Sequence, residues 1–470
     1  MRLNRLALVV GILFLLSCNN HPNTTPATDA VTVKGHPDWI MQGNIYEVNT
    51  RQYTPEGTFK AFEKHLNRLK QMGVQTLWFM PINPISKTDR KGKLGSPYAI
   101  SNYTAINPEF GTLADWKHLV QTAHTKGFKV IIDWVASHTG TDHYWLKQHP
   151  NFYVHDSLGK MVSMFDWLDT RRLDYSNAEL NDSMIHCMQF WVNETGIDGF
   201  RCDYAVGPTP TFWKRCISTL KKNKNLFMLA EGDSAWLQQA GFDATYAWPA
   251  FNMMKLIVKG ERKAMDLDSV FPQPDTAFPA NALKLYFTSN HDENSWNKAD
   301  YETMPGSSHA PFAVLTQTIQ GNVPLIYSGQ EEPVLRPLRF FDKDTIVFHK
   351  YARAGFYKKL LLLRKYHPAL ASDASFTKIK TDNDKNVYAY LRKSGQQYVL
   401  VILNLSPQTQ QMHITNTEAL NGQGINTTCI TDVMNGQSLK GLSAHTSFQL
   451  LPWDYAVYTN CNDSIINKLK

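Results

Sequence analysis

The stretch Gly199-Phe200-Arg201-Cys202-Asp203 follows Gly196-Ile197-Asp198 and is typical of the end of a short β-strand. Side chains alternate with a period of two along a strand, so Arg201 and Asp203 are expected on the same face. There Arg201 would lower the pKa of Asp203 and hold it ionised, as an anionic nucleophile requires. An Arg–Asp pair at a strand end is also a common structural feature. Its meaning therefore depends on the rest of the chain.

On both sides of this stretch, apolar strand patterns alternate with amphipathic helix patterns. The predicted strands are residues 44–48, 74–80, 129–135, 197–202, 226–230, 244–246, 283–288 and 324–327. The predicted helices are residues 58–72, 113–126, 178–193, 210–222, 250–259, 309–320 and 348–366. This α/β alternation indicates a parallel sheet. The count of eight strands favours a closed (β/α)8 TIM barrel over an open sheet.

The barrel is predicted to occupy residues 36–368. An aromatic-rich stretch at 136–177, after the third strand, is too long for an ordinary loop and predicts a small inserted lobe over the barrel mouth. From residue 369 to 470, short alternating strands and turns such as Asn435-Gly436 predict a C-terminal all-β domain, a sandwich.

The N-terminus carries a different signal. Arg2 and Arg5 precede an apolar run at residues 6–16, which is too short to span a bilayer and is typical of a secretory signal. The stretch Leu15-Leu16-Ser17-Cys18 resembles a bacterial lipobox, so residues 1–18 are expected to be a lipoprotein signal with Cys18 as the lipidation site. A plain signal peptide with an incidental cysteine is the alternative. Residues 19–35 are polar and predict a disordered tether.

These features place the mature protein in the bacterial cell envelope, held to a membrane through its N-terminal lipid. The sequence leaves open whether it faces the periplasm or the cell surface. The net charge of +7 is spread thinly over 470 residues, with no basic run beyond 221–224, so no nucleic-acid partner is expected. Cys187, Cys202 and Cys216 are predicted to be buried thiols. Cys429 and Cys461 could form a disulfide, which the sequence does not decide.

Polar side chains follow several of the predicted strands. They are Asp133 and His138 after the third strand, Arg201 and Asp203 at the fourth, Glu231 at the fifth, and His291 and Asp292 at the seventh. In a (β/α)8 barrel, residues at the C-terminal ends of the strands point into one site. Each could also be a helix cap or a surface charge, but the joint arrangement is harder to explain in that way.

Paired carboxyl groups at a barrel mouth suit the hydrolysis of glycosidic bonds. One ionised group attacks the anomeric carbon, and one protonated group gives its proton to the leaving oxygen. Asp203, beside Arg201, is the expected anion. Glu231 has no adjacent cation in the sequence and follows an apolar strand, so burial would favour the protonated form that a general acid needs.

These residues, in this order, resemble the four signature regions of glycoside hydrolase family 13, the α-amylase family. The matching stretches are Asp133…His138, Gly199-Phe200-Arg201-Cys202-Asp203, Glu231, and Asn290-His291-Asp292. Supporting matches are Gly95-Ser96-Pro97-Tyr98, Asn102-Tyr103, residues 107–112 and residues 327–331. The resemblance runs from about residue 43 through the C-terminal β domain.

The resemblance implies a retaining mechanism on α-glucosidic bonds. It assigns Asp203 as the nucleophile, Glu231 as the acid and then the base, and Asp292 as a third carboxylate that grips sugar hydroxyls in the transition state. It also assigns His138 and His291 as hydroxyl-binding residues, Tyr98 as an aromatic platform under the same sugar, and Arg201 and Asp133 as the pair that orients the nucleophile.

The chain departs from the family pattern in two places. Many relatives have Lys and His three and four residues after the nucleophile, where this chain has Val206 and Gly207, so contacts to the leaving-group sugar stay open. Many relatives also bind calcium with an Asn just before the first histidine and an Asp in the lobe. Ser137 and Arg172 occupy those positions here. A cation in place of an oxygen ligand opposes a divalent ion, so no metal or other cofactor is expected, and Arg172 is expected to fill part of that space.

The expected activity is hydrolysis of α-1,4-linked glucans or malto-oligosaccharides, with these sugars as the substrate partner. One alternative is a glucanotransferase that uses the same residues, and the choice depends on water access at the acceptor side. Another is a non-catalytic glucan-binding lipoprotein, which would not need Glu231. Four tryptophans are expected near the mouth, where they could stack on sugars: Trp134, Trp145, Trp167 and Trp248.

Overall fold

The computed structural model describes residues 32–222, 224–271, 277–416, 418–421, 428–443, 446–460 and 464–469. The predicted signal, including Cys18, and most of the predicted tether lie outside the described residues. The described end of that tether corrects its boundary. Thr32–Val33 pairs antiparallel with His36–Pro37, so residues 32–35 belong to a hairpin and are not part of a disordered segment.

Eight parallel strands form a closed barrel. They are β1 (Ile45–Val48), β2 (Thr76–Phe79), β3 (Lys129–Val135), β4 (Gly199–Asp203), β5 (Phe227–Ala230), β6 (Ala244–Tyr246), β7 (Leu283–Tyr286) and β8 (Asn322–Tyr327). Each strand pairs with the next along the chain, and β8 closes the barrel on β1. The predicted (β/α)8 fold class is confirmed.

Helices cover the outside of the barrel. The longer helices are Leu66–Met72, Leu113–Thr125, Ala178–Thr195, Pro210–Leu220, Trp248–Val258, His291–Asn297, His309–Thr318 and Ala354–Tyr366. Shorter helices are Asp38–Met41, Thr50–Tyr53, Phe59–Glu63, Trp145–Gln148, Ala235–Gln239 and Glu418–Asn421. Five of the seven predicted helices begin and end close to the predicted positions, because apolar residues at helical spacing pack on the barrel.

Two helix predictions need correction. The predicted helix at 58–72 is broken into Phe59–Glu63 and Leu66–Met72, with both parts keeping their apolar faces buried. The predicted helix at 348–366 begins only at Ala354. Before that point, the Glu332 carboxylate accepts the backbone N–H groups of residues 349–351, which holds them in a loop.

The position of β4 against β5 depends on Gly199, the first residue of β4. Its φ is +157°, and a Cβ atom there would lie 2.0 Å from the carbonyl oxygen of Phe227. Only glycine allows two backbones to approach so closely. In this register Arg201 lies beside Leu229, so its side chain can reach the end of β5.

The inserted lobe follows β3. The short strands His138–Gly140 and Thr170–Arg172 pair antiparallel and form the lobe hairpin. The Tyr175 hydroxyl donates to the carbonyl of Ala136 at 2.6 Å. His143 is buried among aromatic rings. Its ring centroid lies 4.6 Å from that of the Tyr144 ring and 4.8 Å from that of the Trp145 ring. This small core fixes the lobe on the rim of the barrel.

Apart from helical turns at Glu418–Asn421 and Ile466–Lys468, the described regular elements beyond residue 370 are antiparallel strands. They are β9 (Ser375–Ile379), β10 (Val387–Ser394), β11 (Gln397–Asn404), β12 (Gln410–His413), β13 (Cys429–Asp432), β14 (Ser438–Lys440), β15 (Ser447–Leu450) and β16 (Tyr455–Asn460). Six of them form one sheet in the order β9-β10-β11-β16-β13-β14, and β12 pairs with β15. One face of the sheet packs on the barrel and the other on the β12–β15 pair, as expected of a sandwich.

The cysteines follow the prediction where the structure describes them. Cys187, Cys202 and Cys216 are buried free thiols. Cys429 takes part in a disulfide, whereas Cys461, the partner that the sequence left undecided, lies outside the described residues. Within the described part of the chain, no helix combines the length and the apolar character that a membrane crossing requires.

Candidate active site

A pocket of about 460 Å³ opens at the C-terminal ends of the barrel strands. Six of the predicted site residues line it: Tyr98, His138, Asp203, Glu231, His291 and Asp292. Asp133 and Arg201 lie directly beneath them and are fully buried. The structure therefore brings all the predicted residues of the barrel mouth together, although they come from distant parts of the chain.

Arg201 is the centre of this arrangement. Its Nη1 donates to Asp133 Oδ1 at 2.9 Å and to Asp203 Oδ1 at 3.0 Å. Its Nη2 lies 2.9 Å from Glu231 Oε1, in an ion pair that lacks the angle of a directed hydrogen bond. Its Nε donates to the hydroxyl of Tyr246 at 3.0 Å. The expectation that Glu231 has no adjacent cation is wrong, because neighbouring strands bring Arg201 to it.

One guanidinium therefore faces three carboxyl groups inside the barrel. Burial and the nearby Glu231 carboxylate raise the pKa of Asp203 well above its usual range, although Arg201 opposes this. The prediction that Arg201 lowers the pKa of Asp203 is wrong in its net direction. Burial raises the pKa of Asp133 as well, again against the opposing effect of Arg201. The guanidinium therefore does not fully offset the cost of burying these two aspartates.

His291 lies between two carboxylates. Its Nδ1 is 2.5 Å from Glu47 Oε1, and its Nε2 is 3.1 Å from Asp292 Oδ2. Burial lowers the pKa of His291, but Asp292 and Glu47 outweigh it and raise that pKa well above its usual range. With an acceptor at each ring nitrogen, His291 is an imidazolium.

Tyr98 connects this imidazolium to the arginine centre. Its hydroxyl donates to Asp133 Oδ2 at 3.0 Å and accepts from His291 Nε2 at 2.8 Å. The two rings are stacked, with centroids 5.4 Å apart and an angle of 18° between their planes. A chain of hydrogen bonds thus runs from Glu47 through His291, Tyr98 and Asp133 to Arg201.

Asp292 is held by the start of a helix. The Asn290 side chain caps that helix and accepts the N–H groups of Asp292 at 3.0 Å and of Glu293 at 2.8 Å. Burial opposes the charge of Asp292, but His291 lowers its pKa below the usual value. Asp292 is therefore an anion, and its charge contributes to the raised pKa of Asp203.

His138 is a neutral group. Its Nδ1 lies 2.8 Å from the hydroxyl oxygen of Ser137, and burial lowers the pKa of His138 to about 4. Among the described residues its Nε2 has no hydrogen-bond partner. A buried nitrogen without a partner on a pocket wall is suited to a hydroxyl group of a ligand.

Sequence reasoning missed Glu47, Trp78 and Tyr246. Glu47 is fully buried on β1, and its acidic side chain inside an otherwise apolar strand was the available signal. Trp78 donates from Nε1 to Asp133 Oδ2 at 3.3 Å, and its ring lies 5.1 Å from the guanidinium carbon of Arg201. The apolar patterns of β2 and β6 gave no sign that Trp78 and Tyr246 contact polar residues.

The region around Val206 and Gly207 is apolar and aromatic. The Tyr204 backbone N–H donates to Glu231 Oε2 at 2.6 Å, which fixes the acid next to this region. The exposed ring of Phe165, from the lobe, lies 5.3 Å from the ring of Tyr204. A Cβ atom at Gly207 would lie 2.8 Å from the Cβ of Ser137, so this turn leaves little space for a larger side chain.

The expectation for the tryptophans is only partly met. Of the four predicted near the mouth, Trp167 lines the pocket, whereas Trp134 and Trp145 are core residues of the barrel and the lobe. Trp248 packs against Tyr246 and Phe287. Trp296, which was not predicted, lines the pocket from the helix His291–Asn297 that follows β7.

The residues at the family calcium position do not fit a divalent ion. The Ser137 hydroxyl is already engaged with His138, and Arg172 brings a positive charge to the lobe hairpin. Arg172 is exposed, which gives no support to the expectation that it fills the calcium space. Within the described ranges, no group of three or more His, Cys, Asp or Glu side chains could hold a metal. The absence of calcium stays a prediction.

Comparisons with known proteins agree with this geometry. The family model described as "Alpha amylase, catalytic domain" matches residues 29–338. The chain is similar to α-amylase MalA of Haloarcula japonica, with 24% identity over 394 residues, which cover 79% of this chain and 56% of that protein. It is similar to α-amylase 2 of Dictyoglomus thermophilum, with 24% identity over 404 residues, which cover 77% of this chain and 66% of that protein. The chain thus spans less than two thirds of the length of either relative.

Among solved structures, the fold is similar to that of the noncanonic maltogenic α-amylase AmyB from Thermotoga neapolitana. The TM-score is 0.80 and the sequence identity 28%, and the match covers 89% of this chain and 99% of that chain. Because the family model covers more than half of the chain, including all four strand-end motifs, the protein belongs to the α-amylase family.

Proposed function

We propose that this protein is a retaining glycoside hydrolase that cleaves α-1,4-glucosidic bonds in starch-type glucans or malto-oligosaccharides. One observation carries the proposal: Arg201 contacts Asp203 at 3.0 Å and Glu231 at 2.9 Å, so two carboxyl groups converge at the base of one pocket. A retaining glycosidase needs two such groups close together, one as nucleophile and one as acid. The α-amylases among its relatives support α-glucans as the substrate class.

The mechanism gives the two groups different roles. Asp203 is the anion that attacks the anomeric carbon, and Glu231 gives a proton to the leaving oxygen. The bond between the two sugars breaks, and a glycosyl ester of Asp203 forms. Glu231, now ionised, takes a proton from a water molecule that attacks the ester, which restores both carboxyl groups and retains the anomeric configuration.

The other side chains bind the reacting sugar. Asp292 is an anion that can accept hydrogen bonds from sugar hydroxyls, and these strengthen as positive charge develops on the ring. His138 offers a neutral Nε2 on the opposite wall. Tyr98 provides an aromatic surface that the stack on His291 holds rigid. Together they fix the sugar with its anomeric carbon toward Asp203.

Transfer to a second sugar is the closest alternative. The aromatic residues Phe165, Trp167 and Tyr204 beside Glu231 favour it, because sugar rings stack on such surfaces and could compete with water for the glycosyl ester. A glucan-binding protein without activity is a weaker candidate, since binding alone would not need Glu231 beside Asp203.

We also propose that Cys18 carries a lipid that holds the mature protein at the bacterial cell envelope. The support is the sequence Leu15-Leu16-Ser17-Cys18 after an apolar run, and the polar stretch that follows it. A single acyl group gives only marginal membrane binding, so stable attachment needs more than one chain on the cysteine, as lipobox processing supplies.

The acid role of Glu231 and the nucleophile role of Asp203 can be distinguished with two substrates whose leaving groups differ in their need for a proton. We expect Glu231→Gln to lose about 10²–10⁴-fold in kcat on maltoheptaose, because general acid catalysis is removed. On α-maltosyl fluoride, whose leaving group needs little protonation, the loss in glycosyl transfer to the enzyme should be much smaller. Asp203→Asn should be inactive on both substrates.

Asp233→Asn is the matched control, since this exposed carboxylate lies two residues after Glu231. It should behave like the wild type. Equally negligible turnover of maltoheptaose by the wild type and Glu231→Gln would support the binding protein instead. Chromatography of the products would show longer oligosaccharides if transfer dominates.

The effect of the Glu47 charge on His291 can be tested through the pH dependence of kcat/KM. Glu47→Gln keeps an acceptor for His291 Nδ1 but removes one of the two carboxylates that raise the pKa of His291. That pKa should fall, so the imidazolium is lost at lower pH and the alkaline limb of kcat/KM moves to lower pH. Loss of one hydrogen bond between charged groups should also reduce kcat/KM at neutral pH by roughly 10-fold.

A surface pair of the same type provides the control. Glu63 Oε2 lies 2.9 Å from His118 Nδ1, and the His118 side chain is mostly exposed. Glu63→Gln should leave the pH profile unchanged. An unshifted alkaline limb in Glu47→Gln would show that Glu47 does not act through His291.

The calcium prediction needs only the purified protein. Because Arg172 and Ser137 do not suit a divalent ion, we expect elemental analysis to find no tightly bound calcium. Activity on soluble starch should be unchanged after dialysis against EDTA. One calcium ion per chain, with inactivation on its removal, would contradict the prediction.

The lipid anchor can be tested in a bacterial host. The full chain should partition into the detergent phase of Triton X-114, and Cys18→Ala should partition into the aqueous phase, because it lacks the thiol that is acylated. Mass spectrometry of the mature N-terminus would identify the acyl groups on Cys18. Identical partitioning of both proteins would contradict a lipid at this residue.

A further inference from the structure

The direction of the substrate follows from the position of the acid. Glu231 is fixed beside Tyr204, and the Tyr204 ring contacts Phe165, so this is the side where the leaving group departs. The rest of the donor chain, toward its non-reducing end, must extend to the other side of Tyr98. There Phe340 lies parallel to Tyr98, with ring centroids 6.1 Å apart and an angle of 8°.

The loop after β2 contributes a segment to this donor side. We call this segment, residues 86–95, the strap. It is tied to the inserted lobe by two ion pairs, Lys91 Nζ to Asp169 Oδ1 at 3.3 Å and Arg171 Nη2 to Asp89 Oδ2 at 3.6 Å. The strap backbone also donates from Lys87 N to an oxygen of Asp142 at 2.7 Å. The lobe and the strap are therefore joined along several residues.

The other end of the strap is tied to the loop after β8. Leu94 N donates to the carbonyl of Phe341 at 3.0 Å, and Lys93 N donates to Asp342 Oδ1 at 2.8 Å. Gly92, with a φ of +63°, lies so close to Phe341 that a Cβ atom would be 2.6 Å from the Phe341 Cβ. Three parts of the chain thus form one continuous wall.

Lys91, Asp169, Phe340 and Phe341 are among the side chains of this wall that line the pocket. Asp169 is 3% exposed and paired with Lys91, so a charged pair stands where an open groove would let the donor chain continue. Both groups can hydrogen-bond the free hydroxyls of a terminal sugar. An internal sugar has one of those oxygens in a glycosidic bond and carries further sugars that would collide with the wall.

We propose that the strap closes the donor side of the cleft, so that the enzyme acts on the non-reducing ends of α-glucans and releases glucose or maltose. The Lys91–Asp169 pair is then a specificity determinant that reads the end of the chain. This inference rests on the proposed hydrolase function, and it adds the mode of attack that the catalytic residues do not determine.

The test uses two forms of p-nitrophenyl α-maltoheptaoside, one free and one blocked at its non-reducing end by a 4,6-O-ethylidene group. All products are separated by chromatography. The wild type should release glucose or maltose from the free substrate and hydrolyse the blocked one slower by on the order of 100-fold, as for a group that a fitted pocket rejects. Equal rates on the free and the blocked substrate, with cleavage at internal bonds, would overturn the proposal that the wall closes the donor side. That result would leave the proposed hydrolase function intact. No hydrolysis of either substrate would overturn both.

A pair of lysine variants tests the residues. Lys91→Ala removes the ion pair to Asp169 and shortens the wall, so the rate on the blocked substrate should rise about 10-fold relative to the free one. Lys93→Ala is the control, since this exposed lysine of the same strap does not line the pocket. For Lys93→Ala, the ratio of the rate on the blocked substrate to the rate on the free substrate should match that of the wild type. An unchanged ratio in Lys91→Ala would exclude the Lys91–Asp169 pair as the determinant.

Discussion

The site depends on one buried positive charge. The guanidinium of Arg201 has no contact with solvent, and three carboxyl groups surround it. A buried charge is costly unless it is paired, and a buried carboxylate is equally costly, so each partner makes the other tolerable. Burial nevertheless outweighs the pairing at Asp133 and Asp203, and the pKa of each is raised. The chemistry that we propose uses the close approach of Asp203 and Glu231 to the same guanidinium.

Two linked networks meet at this charge. On one side, Asp203 and Glu231 approach it directly from adjacent strands. On the other side, Asp133 links it to Tyr98 and then to the imidazolium of His291, which Glu47 supports from β1. The first network supplies the reacting groups, and the second holds the sugar platform in a fixed orientation. Residues on six of the barrel strands or in the loops that follow them take part, which explains why the closed barrel is needed to build the site.

Much of this could be predicted from the sequence. The barrel strands are apolar and bounded by polar residues, so their number and positions were readable, and the polar groups at their ends pointed to one site. The ion pair between Arg201 and Glu231 was not readable, because it depends on the register of two strands. The direction of the Asp203 pKa depends on burial and on a neighbour distant in sequence. Glu47 was missed because a strand pattern does not show what a buried acid contacts.

The close approach at Gly199 gives this site an unusual vulnerability. A methyl group there would point at the carbonyl oxygen of Phe227 and would push the two strands apart. The distance between Arg201 and Glu231 would then increase, although no reacting side chain had been changed. An enzyme of this design can thus be disabled through its backbone, and a survey restricted to pocket-lining residues would never find the cause.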